Sequence, residues 1–378
     1  LKSCGWQVIP PQASKRREFQ MLYFMLWAAT VVVANFVVAP CGGSAAQTEC
    51  QDVDASNLLQ MQSAAVASHC PSSHSSFGGP SAVDVAWASD ERQKEGLQAS
   101  VASAIRAAKG PLRAHVMVLR SAMPSFRRLF GIRTDCDSIE AAGGHAVVIL
   151  YPFDANLVQA SIPTFTSAKM KRQHLEGPED IVRLYMHQIL GNKVVIWLDC
   201  DTIVQQDLTP LRSAVLENGV TVAVANREIS LSDMMDSSNP CHFEPDVWGK
   251  LMNATNFNAG VYAVDLGRWA SKGLLKRAEE IVAKNNDCQG RLYDSVSQIP
   301  FNLVFHLASL RDKAKDFVAV SQTWNWDGLG CKSELDTAMI ANASILHWTG
   351  GKKPWLPDGF YRDFWMPHRE HFSSLFPA

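Results

Sequence analysis

A short apolar run that ends in two carboxylates constrains the fold of this chain more than any other feature. The run extends from Val194 to Leu198, and Asp199 and Asp201 follow it with one residue between them. Because the run is short and rich in β-branched and aromatic residues, it predicts a buried strand. Ligands of open α/β sheets bind beyond the carboxyl ends of strands, where paired carboxylates suit Mg²⁺ or Mn²⁺ and, through the ion, a diphosphate. The competing interpretation is a solvated turn, since turns favour Asp.

The hydrophobic pattern of the rest of the chain predicts an α/β fold. Strands are predicted at 83–88, 114–119, 145–151, 193–198, 221–225 and 261–264, and helices at 90–109, 179–190 and 268–284. Because strands alternate with helices, we expect a mostly parallel sheet with helices on both faces. The chain contains no Gly-x-Gly-x-x-Gly and no Gly-Lys-Ser/Thr, which disfavours a dehydrogenase-type dinucleotide site and a P-loop.

The N-terminal part predicts targeting to a membrane. Lys15, Arg16 and Arg17 precede an uncharged apolar stretch over residues 21–39, which has roughly the ~20 residues that span a bilayer. We therefore expect a membrane anchor with a cytoplasmic N-terminus; a cleaved signal peptide is the alternative. Residues 1–20 are expected to be cytoplasmic or foreign to the native protein, since the first residue is not Met. Both interpretations send the body to a secretory lumen.

Composition bounds the remaining organisation. Residues 40–80 are rich in Ser, Ala, Gly and Gln and predict a flexible stem, so the body is expected to cover residues 81–378. The formal net charge of -2 gives no basic field, and no nucleic-acid partner is expected. The nine cysteines are scattered and odd in number, so their spacing defines no disulfide framework. Nothing in the sequence specifies an oligomer, although one is compatible with it.

A second candidate group of ligands lies late in the chain. His347 ends a predicted strand and is followed by Gly350, Gly351, Lys352 and Lys353. A neutral imidazole can complete a metal site that two carboxylates begin. The glycines allow the backbone to approach a phosphate, and either lysine can neutralise it. The competing interpretation is a surface loop with a packed histidine.

Taken together, these segments resemble glycosyltransferase family 8. The matching motifs, in the family's order, are Asp199-Cys200-Asp201, Phe257-Asn258-Ala259-Gly260-Val261 and His347-x-x-Gly350-x-x-Lys353-Pro354-Trp355. The similarity extends over roughly residues 83–370, and the segments 300–305 and 324–330 are similar to the plant galacturonosyltransferase-like branch. The resemblance implies a GT-A-type, Rossmann-like fold, a UDP-sugar donor, Mn²⁺ (or Mg²⁺), and a glycan or polysaccharide acceptor.

The resemblance also implies roles for individual residues. Asp199, Asp201 and His347 would hold the metal ion, while Gly350 and Lys353 would contact the diphosphate.

Further roles follow for residues outside the metal cluster. Asp90 would contact the nucleoside, Arg183 would reach the donor, and Asn258 would lie near the donor sugar. We expect the Cys200 backbone amide near the nucleotide and its thiol packed in the core. For Asp90 the alternative is a helix cap. For Arg183 it is a solvated pair with Glu179.

The reaction centre departs from the family pattern at one place. Many members carry Asp-Gln near the reacting carbon, where this chain has Ser297-Gln298. Gln298 is therefore the remaining catalytic candidate there, and a mechanism with an enzymic carboxylate nucleophile at this place is disfavoured.

The function expected from the sequence is metal-dependent, retaining transfer of a hexose or hexuronic acid from a UDP-sugar to a glycan. The expected location is the Golgi membrane, as a type II single-pass protein with a lumenal catalytic domain. The alternative is a catalytically inactive relative that binds sugar or scaffolds a partner. A nucleotidyltransferase is disfavoured, because Ser89-Asp90-Glu91 does not resemble that class's Gly-rich loop.

Overall fold

The computed structural model describes residues 77–377, apart from 133–137, 163–176, 226, 228, 237–240, 242, 291, 294–296 and 314. The predicted N-terminal segment, the anchor at 21–39 and the stem up to residue 76 lie outside the described residues. Within the described part, no helix combines the length and the apolar character that a membrane crossing requires.

Eight strands form one large sheet. The strands of the molecule are β1 Val83–Ala88, β2 Leu112–Leu119, β3 Ser138–Glu140, β4 Ala146–Phe153, β5 Val194–Leu198, β6 Thr202–Val204, β7 Val222–Ala225, β8 Val261–Asp265, β9 Phe317–Val320, β10 Trp326–Asp327 and β11 Ile345–His347. The large sheet has the order β3-β4-β2-β1-β5-β8-β7-β9. Its β4–β2, β2–β1, β1–β5 and β7–β9 pairs are parallel. The β3–β4, β5–β8 and β7–β8 pairs are antiparallel, so the sheet is mixed but mostly parallel.

Helices cover the large sheet on both faces. They are α1 Lys94–Ala107, α2 Met123–Phe130, α3 Pro178–Ile181, α4 Met186–Leu190, α5 Thr209–Asn218, α6 Pro245–Met252, α7 Leu266–Ser271, α8 Leu274–Asp287, α9 Gln298–Asp312, α10 Thr337–Asn342 and α11 Met366–Leu375. Several begin with Pro in the first turn, where its missing N–H costs no helical hydrogen bond.

The central strands are buried on both sides, which explains their continuous apolar sequence. In β5, Trp197 packs into the cluster on one face and Ile196 into the cluster on the other. In the neighbouring strand β8, Tyr262 packs into the first of these clusters and Ala263 into the second. Successive side chains of a strand point to opposite faces, so a strand covered on both faces carries no polar alternation.

Two predicted helices differ from the structure. The helix predicted at 268–284 is two helices, α7 and α8, because Gly273 adopts a left-handed φ of 61° between them. The helix predicted at 179–190 is interrupted between α3 and α4 by a 3₁₀ segment, Val182–Tyr185. Periodicity missed both breaks, since apolar residues on either side of each break still face the core.

A second, three-stranded sheet has the order β10-β11-β6. β11 runs antiparallel to β6, and Thr202 lies opposite His347. Because β6 begins directly after Asp201, this pairing brings the late His motif to the Asp-x-Asp segment. A disulfide that the cysteine spacing did not predict joins Cys241, which precedes α6, to Cys288, which caps the end of α8.

Candidate active site

The Asp-x-Asp segment is fixed at the edge of the large sheet by its neighbour β8. The backbone N–H of Asp199 donates to Gly260 O at 2.8 Å, one residue beyond the last β5–β8 pair. Because Gly260 immediately precedes β8, the Asn258-Ala259-Gly260 turn lies against the first carboxylate. The strand pairing therefore joins two of the three sequence motifs.

The third motif enters through the small sheet. The N–H of Trp348 donates to Asp201 O at 2.9 Å, which extends the β6–β11 pairing past His347. His347 Nε2 lies 3.2 Å from Asp201 Oδ1 and 3.9 Å from Asp199 Oδ2. One ligand atom from each of these three residues lies within 4.8 Å of the others.

The three side chains fit a divalent ion. Two carboxylates and one imidazole are donors that Mn²⁺ and Mg²⁺ accept in proteins. Gly260 leaves the space for this cluster, because a Cβ there would overlap His347 Cε1 and lie 2.7 Å from Asp199 Oδ2. The predicted metal cluster, which we call the Asp-Asp-His cluster (Asp199, Asp201 and His347), is thus brought together by the fold.

Asn325 orients the imidazole, and the sequence analysis gave it no role. His347 Nδ1 lies 2.9 Å from Asn325 Oδ1, and Asn325 Nδ2 donates to Asn258 O at 3.3 Å. The second contact turns the amide oxygen toward the ring, so Nδ1 donates to it and Nε2 is the nitrogen left to face the carboxylates. Such an outer hydrogen bond commonly fixes a metal-binding histidine. Only the position of Asn325 within the similar 324–330 segment hinted at this role.

Arg183 contacts Asp199 within the protein. Its Nη2 lies 3.0 Å from Asp199 Oδ1, which also accepts from Trp197 Nε1 at 2.8 Å. The guanidinium also donates to Ala259 O (Nη1, 2.6 Å) and Asp180 O (Nε, 2.9 Å). The alternative pairing with Glu179 is wrong, since Arg183 turns instead toward Asp199. One oxygen of Asp199 is therefore held by the protein, and the other faces His347.

Charges around the cluster favour an ionised Asp201. Burial opposes ionisation, but Lys353 and His347 outweigh it and hold the pKa of Asp201 well below its usual range. Asp180 behaves differently, because burial, despite Arg183, raises its pKa to about 7. Asp201 is therefore ionised at neutral pH, whereas the nearby Asp180 titrates close to pH 7.

The two lysines of the loop after His347, Lys352 and Lys353, have different partners. Lys353 Nζ contacts Asp201 Oδ2 and donates to Trp348 O at 2.8 Å, whereas Lys352 pairs with exposed Asp358. Of the two candidates, Lys353 is therefore the lysine at the site. Gly350 adopts a φ of +111°, and a Cβ there would lie 2.5 Å from Gly330 O, so the turn itself requires glycine.

The remaining predicted residues lie around the cluster. Asp90 caps the 3₁₀ turn before α1, accepting from Arg92 N at 2.9 Å and Gln93 N at 3.0 Å. The Cys200 thiol is buried and donates to Ala88 O at 3.1 Å, and burial raises its pKa, so the predicted packed thiol is confirmed.

Asn258 and Gln298 belong to adjoining segments. Asn258 Oδ1 accepts from Gly260 N at 2.7 Å, which holds the turn beside the metal ligands. Gln298 begins α9, and Asn302, one turn later, exchanges 2.9 Å hydrogen bonds with the backbone of Phe257. No contact of the Gln298 side chain with the Asp-Asp-His cluster is recorded among the described residues.

Solved structures with the same architecture are glycosyltransferases. The bifunctional glycosyltransferase WbbM aligns with a TM-score of 0.56 at 17% identity, covering 79% of this chain and 53% of that one. The galactosyltransferase LgtC, solved with donor and acceptor sugar analogues, aligns with a TM-score of 0.53 at 18% identity, covering 78% and 97%. At this identity the likeness shows the fold alone, which is of the GT-A glycosyltransferase type.

Sequence comparison identifies the family. Residues 141–359 match the sequence model of the family described as Glycosyl transferase family 8. The chain therefore belongs to glycosyltransferase family 8.

Two curated relatives come from a plant. Probable galacturonosyltransferase-like 4 of Arabidopsis thaliana is 31% identical over 215 residues, covering 55% of this chain and 56% of that protein. Probable galacturonosyltransferase-like 8 of the same plant is 28% identical over 303 residues, covering 75% and 69%. The chain spans little more than half the length of the first of these. The predicted similarity to the galacturonosyltransferase-like branch is confirmed.

Proposed function

We propose that this protein is a metal-dependent, retaining glycosyltransferase that moves a hexuronic acid or hexose from a UDP-sugar to a glycan acceptor. The observation that carries the proposal is the convergence of Asp199, Asp201 and His347 at the edge of the sheet. The family membership supports glycosyl transfer, and all three ligand positions are occupied by metal-binding residue types. That completeness argues against the alternative of an inactive relative.

Asp199, Asp201 and His347 would hold the divalent ion. When bound, Mn²⁺ or Mg²⁺ supplies Lewis-acid stabilisation of the negative charge on the departing diphosphate. Lys353 adds a second positive charge at the same place, since its ammonium already lies against Asp201. Gly350, Asp90 and the Cys200 amide are the proposed further contacts of the diphosphate and nucleoside.

The sugar end of the donor would lie beside Asn258, with Arg183 positioning Asp199 behind it. Glycosyl transfer passes through an oxocarbenium-like state, which the donor sugar must reach with its anomeric face open to the acceptor. Asp327 Oδ2 accepts from Arg227 and Asn258 and holds both in place, so we assign this carboxylate a positioning role and not a nucleophilic one. We therefore favour attack by the acceptor hydroxyl on the same face, with Gln298 nearby and the hydroxyl proton passing to the leaving phosphate oxygen.

The names of the plant relatives support a uronic acid as the transferred sugar. The proposed glycan or polysaccharide acceptor follows from the family resemblance of the sequence motifs. The proposed location is the Golgi, with residues 21–39 as the anchor and the body in the lumen. This part rests on the basic residues and apolar stretch of the N-terminal sequence.

A donor screen tests the proposed function. The full chain would be assayed for UDP release from UDP-galacturonate, UDP-galactose, UDP-glucose and UDP-xylose with Mn²⁺. We expect turnover of at least one donor, and its loss on chelation. D201N should abolish turnover because a metal ligand is lost, whereas D358N, an exposed carboxylate paired with Lys352, should not. Turnover that survives chelation would contradict the metal role.

A further inference from the structure

A guanidinium–carboxylate pair lies next to the Asp-Asp-His cluster and takes no part in holding it. Arg227 Nη2 is 2.8 Å from Asp327 Oδ2, and the same oxygen accepts from Asn258 Nδ2 at 3.3 Å. Asn258 in turn holds the N–H of Gly260, the glycine that abuts the metal ligands. Three successive contacts therefore lead from the cluster outward to Arg227.

Both sheets contribute to the placement of this pair. Asp327 ends β10 and lies in register with His347 on the neighbouring strand β11. Arg227 follows β7 by two residues, and β7 pairs with β8, the strand that begins after Gly260. The pairing of β10 with β11 and that of β7 with β8 therefore place Arg227 and Asp327 at the same edge of the large sheet as the Asp-Asp-His cluster.

Arg227 has hydrogen-bonding capacity that Arg183 lacks. Arg183 is 7% exposed and uses Nε, Nη1 and Nη2 on protein acceptors. Arg227 is 21% exposed, and Asp327 is the carboxylate recorded against it. Its buried Nε finds no acceptor in the described part of the chain. This Nε is shut off from solvent, but the exposed part of the guanidinium can meet a ligand, because among the described residues Asp327 is the acceptor recorded for Nη2 and the other terminal N–H groups remain available.

We propose that Arg227 binds the carboxylate of a hexuronic acid donor and thereby selects a UDP-uronate over the corresponding UDP-hexose. The inference rests on the proposed function, because it assigns the sugar end of the same donor site. A guanidinium offers five N–H donors in a planar fork that matches a carboxylate, which a neutral hydroxymethyl group cannot replace. Asp327 takes one end of the fork and positions the rest.

The test compares two donors that differ only at C6, UDP-galacturonate and UDP-galactose, with the full chain and Mn²⁺. The wild type should favour the uronate in kcat/KM and in affinity measured by calorimetry. R227A should lower both quantities for UDP-galacturonate about 10- to 100-fold, the range expected for a charge-assisted hydrogen bond. Its values for UDP-galactose should fall far less, because that donor has no carboxylate to lose. For UDP-galacturonate, R227K should have values between those of the wild type and R227A, because lysine keeps the positive charge but loses the planar, forked arrangement of N–H donors.

Two controls separate this role from damage to the fold. R311A removes another arginine paired with an aspartate, the exposed Asp312 at the end of α9, and should leave the donor preference unchanged. R227A should bind UDP with Mn²⁺ as tightly as the wild type, because Arg227 lies outside the proposed diphosphate contacts.

Several outcomes would overturn the inference. They are an R227A variant that keeps the uronate preference, one that loses both donors equally while still binding UDP, and a wild type that favours UDP-galactose. In each of these cases UDP binding and turnover persist, so the proposed function stands. A wild type that binds no UDP with Mn²⁺ and turns over no donor overturns the proposed function together with the inference.

Discussion

At the scale of single residues, the candidate site is defined by what holds each ligand. The side chains that the sequence predicted, Asp199, Asp201 and His347, are together. The roles that it missed are those of Asn325, which acts through a hydrogen bond, and Gly260, which acts through an absent side chain. Neither effect has a sequence pattern, because each depends on which residue a distant strand brings into contact.

The Asn325 hydrogen bond predicts a change in metal affinity. N325L removes the acceptor of the His347 Nδ1 proton, so the imidazole loses its fixed tautomer and orientation. We expect Mn²⁺ affinity, measured by calorimetry, to fall about 10- to 100-fold. The matched variant N342L changes an exposed asparagine on α10 and should leave the affinity unchanged. Equal affinity in N325L and the wild type would refute the orienting role.

Gly260 supports a steric prediction. The methyl group of G260A would overlap His347 and press on Asp199 Oδ2, so Mn²⁺ binding should be lost. G249A is the matched control, since a Cβ there meets nothing within 4 Å on helix α6. G249A should bind Mn²⁺ normally, and it should gain about 0.5–1 kcal/mol in unfolding free energy from better helix propensity. Wild-type Mn²⁺ affinity in G260A would show that the glycine is unnecessary.

At the scale of elements, the central strands of the large sheet were predictable, whereas the breaks in two helices and some of the shortest strands were not. Strand β1 and the strand leading into Asp199 were predicted within one residue, the first from its alternating pattern and the second from its β-branched and aromatic run. The strands β6 and β10 are three and two residues long, too short for any period, yet β6 carries the pairing that brings in His347. The site was therefore recognisable from its motifs before its supporting sheet was.

The break between α7 and α8 predicts a backbone effect on stability. G273A places a side chain at a φ of 61°, where an L-residue is strained, so the unfolding free energy should fall by about 1 kcal/mol. Urea denaturation followed by circular dichroism measures this. A stabilising effect, as expected for G249A, would mean that the two helices can merge into the single helix that the periodicity predicted.

At the scale of the whole molecule, a buried ion cluster on strands β1 and β2 links stability to pH. Asp84 accepts from Arg113 Nε and lies near His115 Nε2, each at 2.7 Å. Burial opposes its ionisation, but His115 and Arg113 outweigh burial and hold the pKa of Asp84 well below its usual range. Burial, despite Asp84, lowers the pKa of His115.

Both shifts destabilise the fold in acid. Between the ordinary and the lowered pKa of each group, the unfolded chain binds more protons, so the unfolding free energy falls as pH falls. The effect begins near pH 6.5 for His115 and near pH 4 for Asp84. Asp180, with its pKa of about 7, acts in the opposite direction between about pH 4 and 7. We therefore expect the steepest loss below about pH 4.

A variant isolates the Asp84 contribution. D84N leaves Arg113 without this carboxylate and should cost about 3–5 kcal/mol at pH 7, with a shallower dependence on pH below 4. Urea titrations of both proteins from pH 3 to pH 7 measure this. The same acid slope in D84N and the wild type would mean that other carboxylates determine acid unfolding.

The central claim, that the Asp-Asp-His cluster holds the divalent ion on which UDP binding depends, is tested most directly by anomalous diffraction from crystals grown with Mn²⁺ and UDP. The account predicts one strong manganese peak bonded to Asp199, Asp201 and His347 Nε2 and touching the diphosphate, and no such peak in D201N crystals. UDP bound in the wild type without manganese at these residues, or with the ion elsewhere, would contradict it.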